Sequence, residues 1–302
     1  VLVIQENHRR DPVNRMVKHI LEQKVLGSPR LIHFASLEGT KQIAHGTAWR
    51  QLKNRGGYLL DFGVHETDLF CYFMGDVASV FGETQLWETQ RSTESDAEWV
   101  LSQYYSHRTK ESIEQAKFVD CTSEDMCLGL IRFRSGAIGY YGRSLAAPGS
   151  RTTSDVIYCE EGSIELPGSR SGNSALLTMS GSSDPLSESD LLKMIPEFQL
   201  DDLTASFFGS ERKLLSYGYE MPEIDRKFIA MGLMDFSNAL LHGTTPEVGA
   251  KEGLDAVALV YAILESGHSG QRVQFEDVAF DRVNDYQSEI NSASCNSWDR
   301  RN

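Results

Sequence analysis

Apolar residues along this chain change their spacing from segment to segment, and each spacing predicts an element. Val1-Leu2-Val3-Ile4 is a run of β-formers and predicts a short buried strand over residues 1–5. Asn7 to Asp11 is polar and reads as a turn, with Asp11 as the cap and Pro12 at the first position of a helix. Met16, Val17, Ile20 and Leu21 carry that helix at helical spacing toward a stop at Gly27-Ser28-Pro29. Leu31, Ile32 and Phe34 start a strand, and residues 38–55 form a polar loop carrying Trp49 and Arg50. Gly56-Gly57 then opens an apolar, helix-length run that ends at Gly75.

Val77 to Trp87 reads as a strand, and residues 88–118 are polar without a clear period. Asp125–Phe133 and Ala137–Leu145 alternate on either side of Arg134-Ser135-Gly136, which predicts a hairpin. Asp155–Tyr158 and Ser163–Leu166 predict another, turning at Glu161-Gly162. Consecutive hairpins point to an α+β fold with a largely antiparallel sheet, one face of it covered. Residues 167–190 are rich in Ser and Gly and read as a mobile surface loop, and 191–222 are ambiguous. A helix over about Ile224–Leu241 is expected to bury Phe228, Ile229, Leu233, Phe236 and Leu240 and to end at His242-Gly243. A second, over about Lys251–Glu265, is apolar in its middle and should be buried, with Glu265-Ser266-Gly267 as its stop. A strand over Arg272–Phe275 and a loosely held polar tail after Tyr286 complete the reading.

The run from Gly56 carries the candidate chemistry. Asp61, His65 and Asp68 fall at i, i+4 and i+7, so they project from one helix face. A carboxylate one turn from an imidazole suits proton transfer, because histidine titrates near neutral pH and an acidic neighbour can orient it. The plainer reading of the same spacing makes Asp61 a cap, His65 a satisfied interior residue and Asp68 a group bonded to backbone or solvent; spacing does not separate the two.

Composition narrows the field. With 302 residues, 40% of them hydrophobic, the chain can bury a sizeable core. A net charge of −14 opposes a phosphate backbone, and His8-Arg9-Arg10 is too short for a basic patch, so nucleic acid is not an expected partner. No apolar run reaches membrane-spanning length. Cys71, Cys121, Cys127, Cys159 and Cys295 show no C-x-x-C or zinc-type spacing, so reduced thiols in a cytoplasmic protein are expected. No G-x-G-x-x-G follows a strand, and no Walker loop or G-x-S-x-G is present. Trp49, Trp87 and Trp99 read as packing residues, although Trp49 beside Arg50 could border a pocket. Cys71 reads as core, and His242 as a complement to a helix C-terminus.

Four stretches resemble the glucose–fructose oxidoreductase / inositol dehydrogenase / MocA (Gfo/Idh/MocA) family of nicotinamide-dependent oxidoreductases. They are Glu6-Asn7-His8-Arg9-Arg10-Asp11-Pro12 with Gly27-Ser28-Pro29; Trp49-Arg50 with Gly56-Gly57 and Asp61-Phe62-Gly63-Val64-His65-Glu66-Thr67-Asp68; Glu124-Asp125 leading into the first hairpin; and Pro246-Glu247-Val248 with Glu252 to Ala256 and Glu265-Ser266-Gly267. The resemblance implies that residues 1–26 are a remnant strand and helix leading out of a Rossmann domain. Residues 27–286 would be a substrate-binding and oligomerisation domain, and 287–302 a polar tail. It implies His65 as general base, with Asp61 positioning substrate and histidine. Arg50, Asn7, His8 and Arg9 would line a sugar or polyol pocket, with Trp49 and Asp68 beside it. NAD or NADP would serve the complete protein, but the dinucleotide fingerprint and the family's E-K-P segment are missing here, so no cofactor-binding residue is assigned, and no metal ligand. The open sheet face would join copies as a dimer or tetramer. Two other readings stay open. One is a lyase, epimerase or hydratase without a cofactor domain, using Asp61 and His65, in one version with a divalent metal on Asp61, His65 and Asp68. The other is a non-catalytic sugar-sensing or scaffold protein.

Overall fold

The computed structural model describes residues 1–43, 47–93, 117–209 and 212–298. Helix α1 (Pro12–Glu22) starts as its sequence dictates: the Asp11 carboxylate accepts from the Val13 N–H at 2.9 Å, with Pro12 in the first turn. Strand β1 (Pro29–Leu37) leads through two short 3₁₀ turns to α2 (Gly57–Met74). Strands β2 (Val77–Gln85), β3 (Gln90–Ser92), β4 (Phe118–Asp120), β5 (Met126–Phe133), β6 (Ile138–Ser144), β7 (Thr152–Cys159), β8 (Gly162–Glu165) and β9 (Leu176–Met179) follow. The chain closes with α3 (Glu188–Met194), α4 (Asp202–Phe208), α5 (Met221–His242), α6 (Ala250–Ser269), β10 (Val273–Gln274), α7 (Phe275–Ala279) and α8 (Asp285–Trp298).

Eight strands form one sheet in the order β10-β2-β5-β6-β1-β7-β8-β9, antiparallel except where β1 runs parallel to β6. One face is covered by α2 and α6. Its glycines let α6 approach: a Cβ on Gly82 would stand 2.5 Å from the Ile263 carbonyl oxygen. Gly63 does the same for α2, where a Cβ would meet the Tyr141 hydroxyl at 2.9 Å. Between the layers lie Phe34, Phe70, Ile131, Phe133, Tyr141, Leu259 and Ile263. Alternation sends the neighbouring residues to the other face, where Phe81, Leu130, Tyr140, His33 and Val156 make one cross-strand row. Leu130, Ile138, Tyr158 and Leu176 are exposed there. The expected α+β architecture is therefore present, and among the described residues this second side of the sheet keeps apolar side chains exposed.

Several expectations are corrected. Residues 1–5 form no strand: Ile4 donates to the Val248 carbonyl, Gln5 to that of Phe228, and Val1 and Leu2 are exposed. A β-run needs a neighbouring ladder, and this one meets none. The segment 167–190 contains β9 and the start of α3. Helix α6 passes through Glu265-Ser266-Gly267 to Ser269, and Gly270 in the left-handed region closes it. From Asp285 to Trp298 the chain is helical. Buried Glu265 accepts from the Tyr286 and Gln287 N–H groups and so anchors α8. Trp87 is 63% exposed and does not pack. Trp99 lies outside the described residues.

The apolar stripe on α5 is also misassigned. Phe228 is buried, but Leu233 and Leu240 are 60% and 57% exposed, with Ile229 and Phe236 beside them. The buried arc is instead Ile224, Phe228, Met231, Gly232, Asp235 and Ala239. It carries a glycine and an aspartate because Gln5 presses on Gly232 and Arg10 pairs with Asp235.

Candidate active site

Helix α2 is set by its two opening glycines. Gly56 and Gly57 have φ of +97° and +68°. A Cβ on Gly57 would lie 1.9 Å from the Ser123 hydroxyl, so the helix can start here only with glycine. The three side chains expected on its working face are present, and each is engaged by a different partner.

Asp61 accepts from Arg50 Nε at 2.6 Å. Arg50 also donates to the Thr47 hydroxyl and stacks over the Trp49 ring, 4.6 Å from its centroid. Arg50, Trp49 and Asp61 thus form one unit at the start of α2. Trp49 keeps an exposed edge and is no core residue.

His65 is partly exposed, its side chain at 29%. Its Nδ1 lies 2.7 Å from Glu6 Oε2, not on Asp61. Glu6 is buried, and its other oxygen accepts the Asn7 and His8 N–H groups at 2.7 and 2.8 Å. Burial alone would raise this carboxyl. The hydrogen bond and charge of His65, aided by His8, outweigh it and bring the value down to about 2. The His8 ring stacks on His65 with centroids 4.6 Å apart. Burial holds His8 well below its ordinary value, and the charge of His65 adds to this, so His8 is neutral.

Asp68 is fully buried and accepts from Arg9 through both oxygens, Nε–Oδ2 at 2.8 Å. The expectation of a solvated or backbone-bonded Asp68 is therefore wrong. Burial pushes its carboxyl up to about 6 against the pull of Arg9, which leaves it ionised at neutral pH. Because Asp61, His65 and Asp68 turn to separate partners, they make no ligand set. Among the described residues no cluster of three such groups could hold a metal.

The turn before α1 supplies most of these partners. Glu6 takes His65, Arg9 takes Asp68, and Arg10, with no exposed surface, takes Asp235 and Glu247. Asp11 caps α1 and accepts from the Tyr217 hydroxyl at 2.6 Å. Arg170 reaches over to Asn7 at 3.3 Å and pairs with Asp225, while the Ser169 hydroxyl meets His8 Nε2 at 3.2 Å. His8 and Arg9 are thus brought to α2, against His65 and Asp68, while the Asn7 side chain meets Arg170. Glu6 escaped assignment as a site residue, since 59 residues separate it from His65 and nothing local marks it. A cleft of ≈ 610 Å³ lies elsewhere, lined by Tyr72, Lys251, Leu254 and Phe280; of the expected site residues only Arg9 borders it. Cys71 also lines it, and burial raises its thiol, which makes it unreactive.

The comparisons with known proteins agree with this architecture. The family model described as "Oxidoreductase family, C-terminal alpha/beta domain" matches residues 18–275. The chain belongs to the Gfo/Idh/MocA oxidoreductase family. Solved structures share the fold. An NAD-binding oxidoreductase from Klebsiella pneumoniae is 19% identical with a TM-score of 0.64, the match covering 89% of this chain and 65% of that one. Levoglucosan dehydrogenase in complex with NADH and levoglucosan is 17% identical, TM-score 0.64, covering 91% and 66%. An Agrobacterium radiobacter oxidoreductase in complex with NAD+, L-tartaric acid and magnesium is 18% identical, TM-score 0.58, covering 91% and 65%. The chain thus spans about two-thirds of the length of these Gfo/Idh/MocA structures. No curated protein sequence matches. No helix among the described residues is long and apolar enough to cross a membrane.

Two outcomes follow from the buried charges. Asp68→Ala strands the Arg9 guanidinium and should cost on the order of 3–5 kcal/mol, measured by urea unfolding. The Glu6 value lies below its ordinary 4.5, so its contribution is whole above 4.5 and is lost as pH falls through about 2. Wild type and Glu6→Gln should therefore differ by roughly 3 kcal/mol near pH ~5, and unfolding at stepwise lower pH should show the difference closing.

Proposed function

We propose that this chain is the substrate-binding and proton-transfer part of a nicotinamide-dependent oxidoreductase acting on a sugar or polyol. His65 takes the hydroxyl proton while hydride leaves the same carbon for NAD or NADP. The observation that carries this reading is His65, partly exposed on the glycine-opened helix of a chain whose family is that of the oxidoreductases. Relatives of the same fold were solved with NADH and a sugar, levoglucosan or L-sorbose. Asp61, one turn before His65 on the same helix, and Arg50, which reaches Asp61 from the 3₁₀ turn ahead of that helix, offer an acceptor and a donor, which suits a polyhydroxylated ligand. Asn7, His8, Arg9 and Asp68 act mainly behind that face, as its support.

The nicotinamide-binding unit belongs, on this reading, to the third of the relatives' length that the chain does not span. The exposed apolar flank of α5, with Leu233 and Leu240 on it, supports an arrangement in which a further folded unit lies there. The bare sheet face, with Leu130, Ile138 and Tyr158 exposed, supports pairing of two copies through it. The metal-assisted lyase reading has no such support, because its three candidate ligands are engaged separately.

In the chain joined to a nucleotide-binding domain of the relatives' kind, sugar- or polyol-dependent nicotinamide reduction is expected, and His65→Asn should lower kcat by about 10²–10⁴-fold. Unchanged turnover in that variant, or turnover of a sugar without nicotinamide, would sink the reading. Sedimentation velocity should find a dimer or larger in wild type and a smaller species in Leu130→Glu; a monomeric wild type refutes the sheet-face pairing.

A further inference from the structure

Glu6 and Asp61 compete, in principle, for the same role beside His65. The geometry separates them. Asp61 Oδ2 is taken by Arg50 at 2.6 Å, whereas Glu6 Oε2 stands 2.7 Å from His65 Nδ1. Glu6 is nearly without solvent contact, and two backbone N–H groups fix its other oxygen at 2.7 and 2.8 Å. An ionised carboxylate has lone pairs but no proton to give, so the proton in the Glu6–His65 bond sits on Nδ1. The other ring nitrogen, Nε2, then carries the lone pair.

We propose that Glu6, not Asp61, is the residue that orients His65, holding its proton on Nδ1 so that Nε2 is the atom that accepts the substrate's hydroxyl proton. The proposal rests on the reading of His65 as the base and names what makes it one. Proton balance is simple. The hydroxyl proton passes to Nε2, the ring becomes an imidazolium, and the Glu6 carboxylate facing Nδ1 offsets the new charge without itself being protonated. The same division of labour, a base oriented by a third group, is that of the Ser–His–Asp and Cys–His–Asn triads. The neutral His8 ring stacked on His65 restrains the ring plane and adds no opposing charge. Glu6 touches neither substrate nor cofactor in this scheme; it is a positioning residue. Asp61 is left to hold Arg50 and, through its remaining acceptor capacity, a ligand hydroxyl.

The test is a ¹⁵N-labelled sample of the 302-residue chain and long-range ¹H–¹⁵N correlation of its histidine rings at a pH where His65 is neutral. Wild type and Asp61→Asn should both show His65 with the proton on Nδ1 and a bare Nε2. Glu6→Gln, whose amide can donate to the ring, should lose that single pattern, and Glu6→Asp should restore part of it. A wild-type His65 protonated on Nε2 overturns the proposal. So does a pattern that changes in Asp61→Asn but not in Glu6→Gln. Should Glu6→Gln fail to fold, the wild-type and Asp61→Asn spectra decide alone. These spectra need no turnover, so a failure of the oxidoreductase reading, seen as inactivity of the joined protein, is distinguishable from a failure here.

Discussion

Buried charge is the constraint on which this structure turns. The turn Glu6–Asp11 places four ionisable side chains in the interior, Glu6, Arg9, Arg10 and Asp11, and each must be matched where it lies. An unpaired ion in such surroundings costs several kcal/mol, so the partners are not optional. His65 and Asp68 on α2, Asp235 on α5, Glu247 and the Tyr217 hydroxyl meet them one by one. The turn thereby fixes the relative placement of α1, α2 and α5. Geometry at His65 is a by-product of that fixing: the imidazole is oriented because the carboxylate behind it cannot move.

Position in the layers explains why Asp61 and His65 sit where they do. Glycines at 82, 129 and 63 let α6 and α2 lie close on the sheet, and the apolar layer beneath them makes α2 a rigid platform. Its N-terminal half presents Asp61 and His65 while its C-terminal half is sunk in the core through Phe70, Phe73 and Met74. Such rigidity suits the proton transfer proposed for His65, because efficient transfer depends on holding a donor–acceptor distance near 3 Å. Apart from this platform, the outer sheet face and the flank of α5 expose apolar side chains, among them Leu130, Ile138, Leu233 and Leu240, on a chain that spans about two-thirds of the length of the solved structures it resembles.

Much of the fold could be read from local pattern. The cap at Asp11-Pro12, the hairpin at Arg134–Gly136 and the glycine-opened helix from Gly57 are short-range structures whose causes lie within a few residues. Misreadings occurred where a partner distant in sequence decides the outcome. The β-run at residues 1–5 lacks a ladder to join. Helix α5 buries its less apolar arc because Arg10 and Gln5 claim it. The polar residues after Tyr286 form a docked helix because Glu265 supplies the acceptor for its first N–H groups.

By itself, then, the sequence determined the α+β class, a largely antiparallel sheet and a helix bearing Asp61, His65 and Asp68 on one face. All of these follow from spacing and backbone freedom. Tertiary structure alone decided which carboxylate meets which base. Spacing paired His65 with Asp61, one turn away; folding paired it with Glu6, 59 residues away, and gave Asp61 to Arg50 and Asp68 to Arg9. The reason is physical: a partly exposed carboxylate can find many partners, whereas a buried one must have its own, and burial is a property of the assembled layers rather than of any segment.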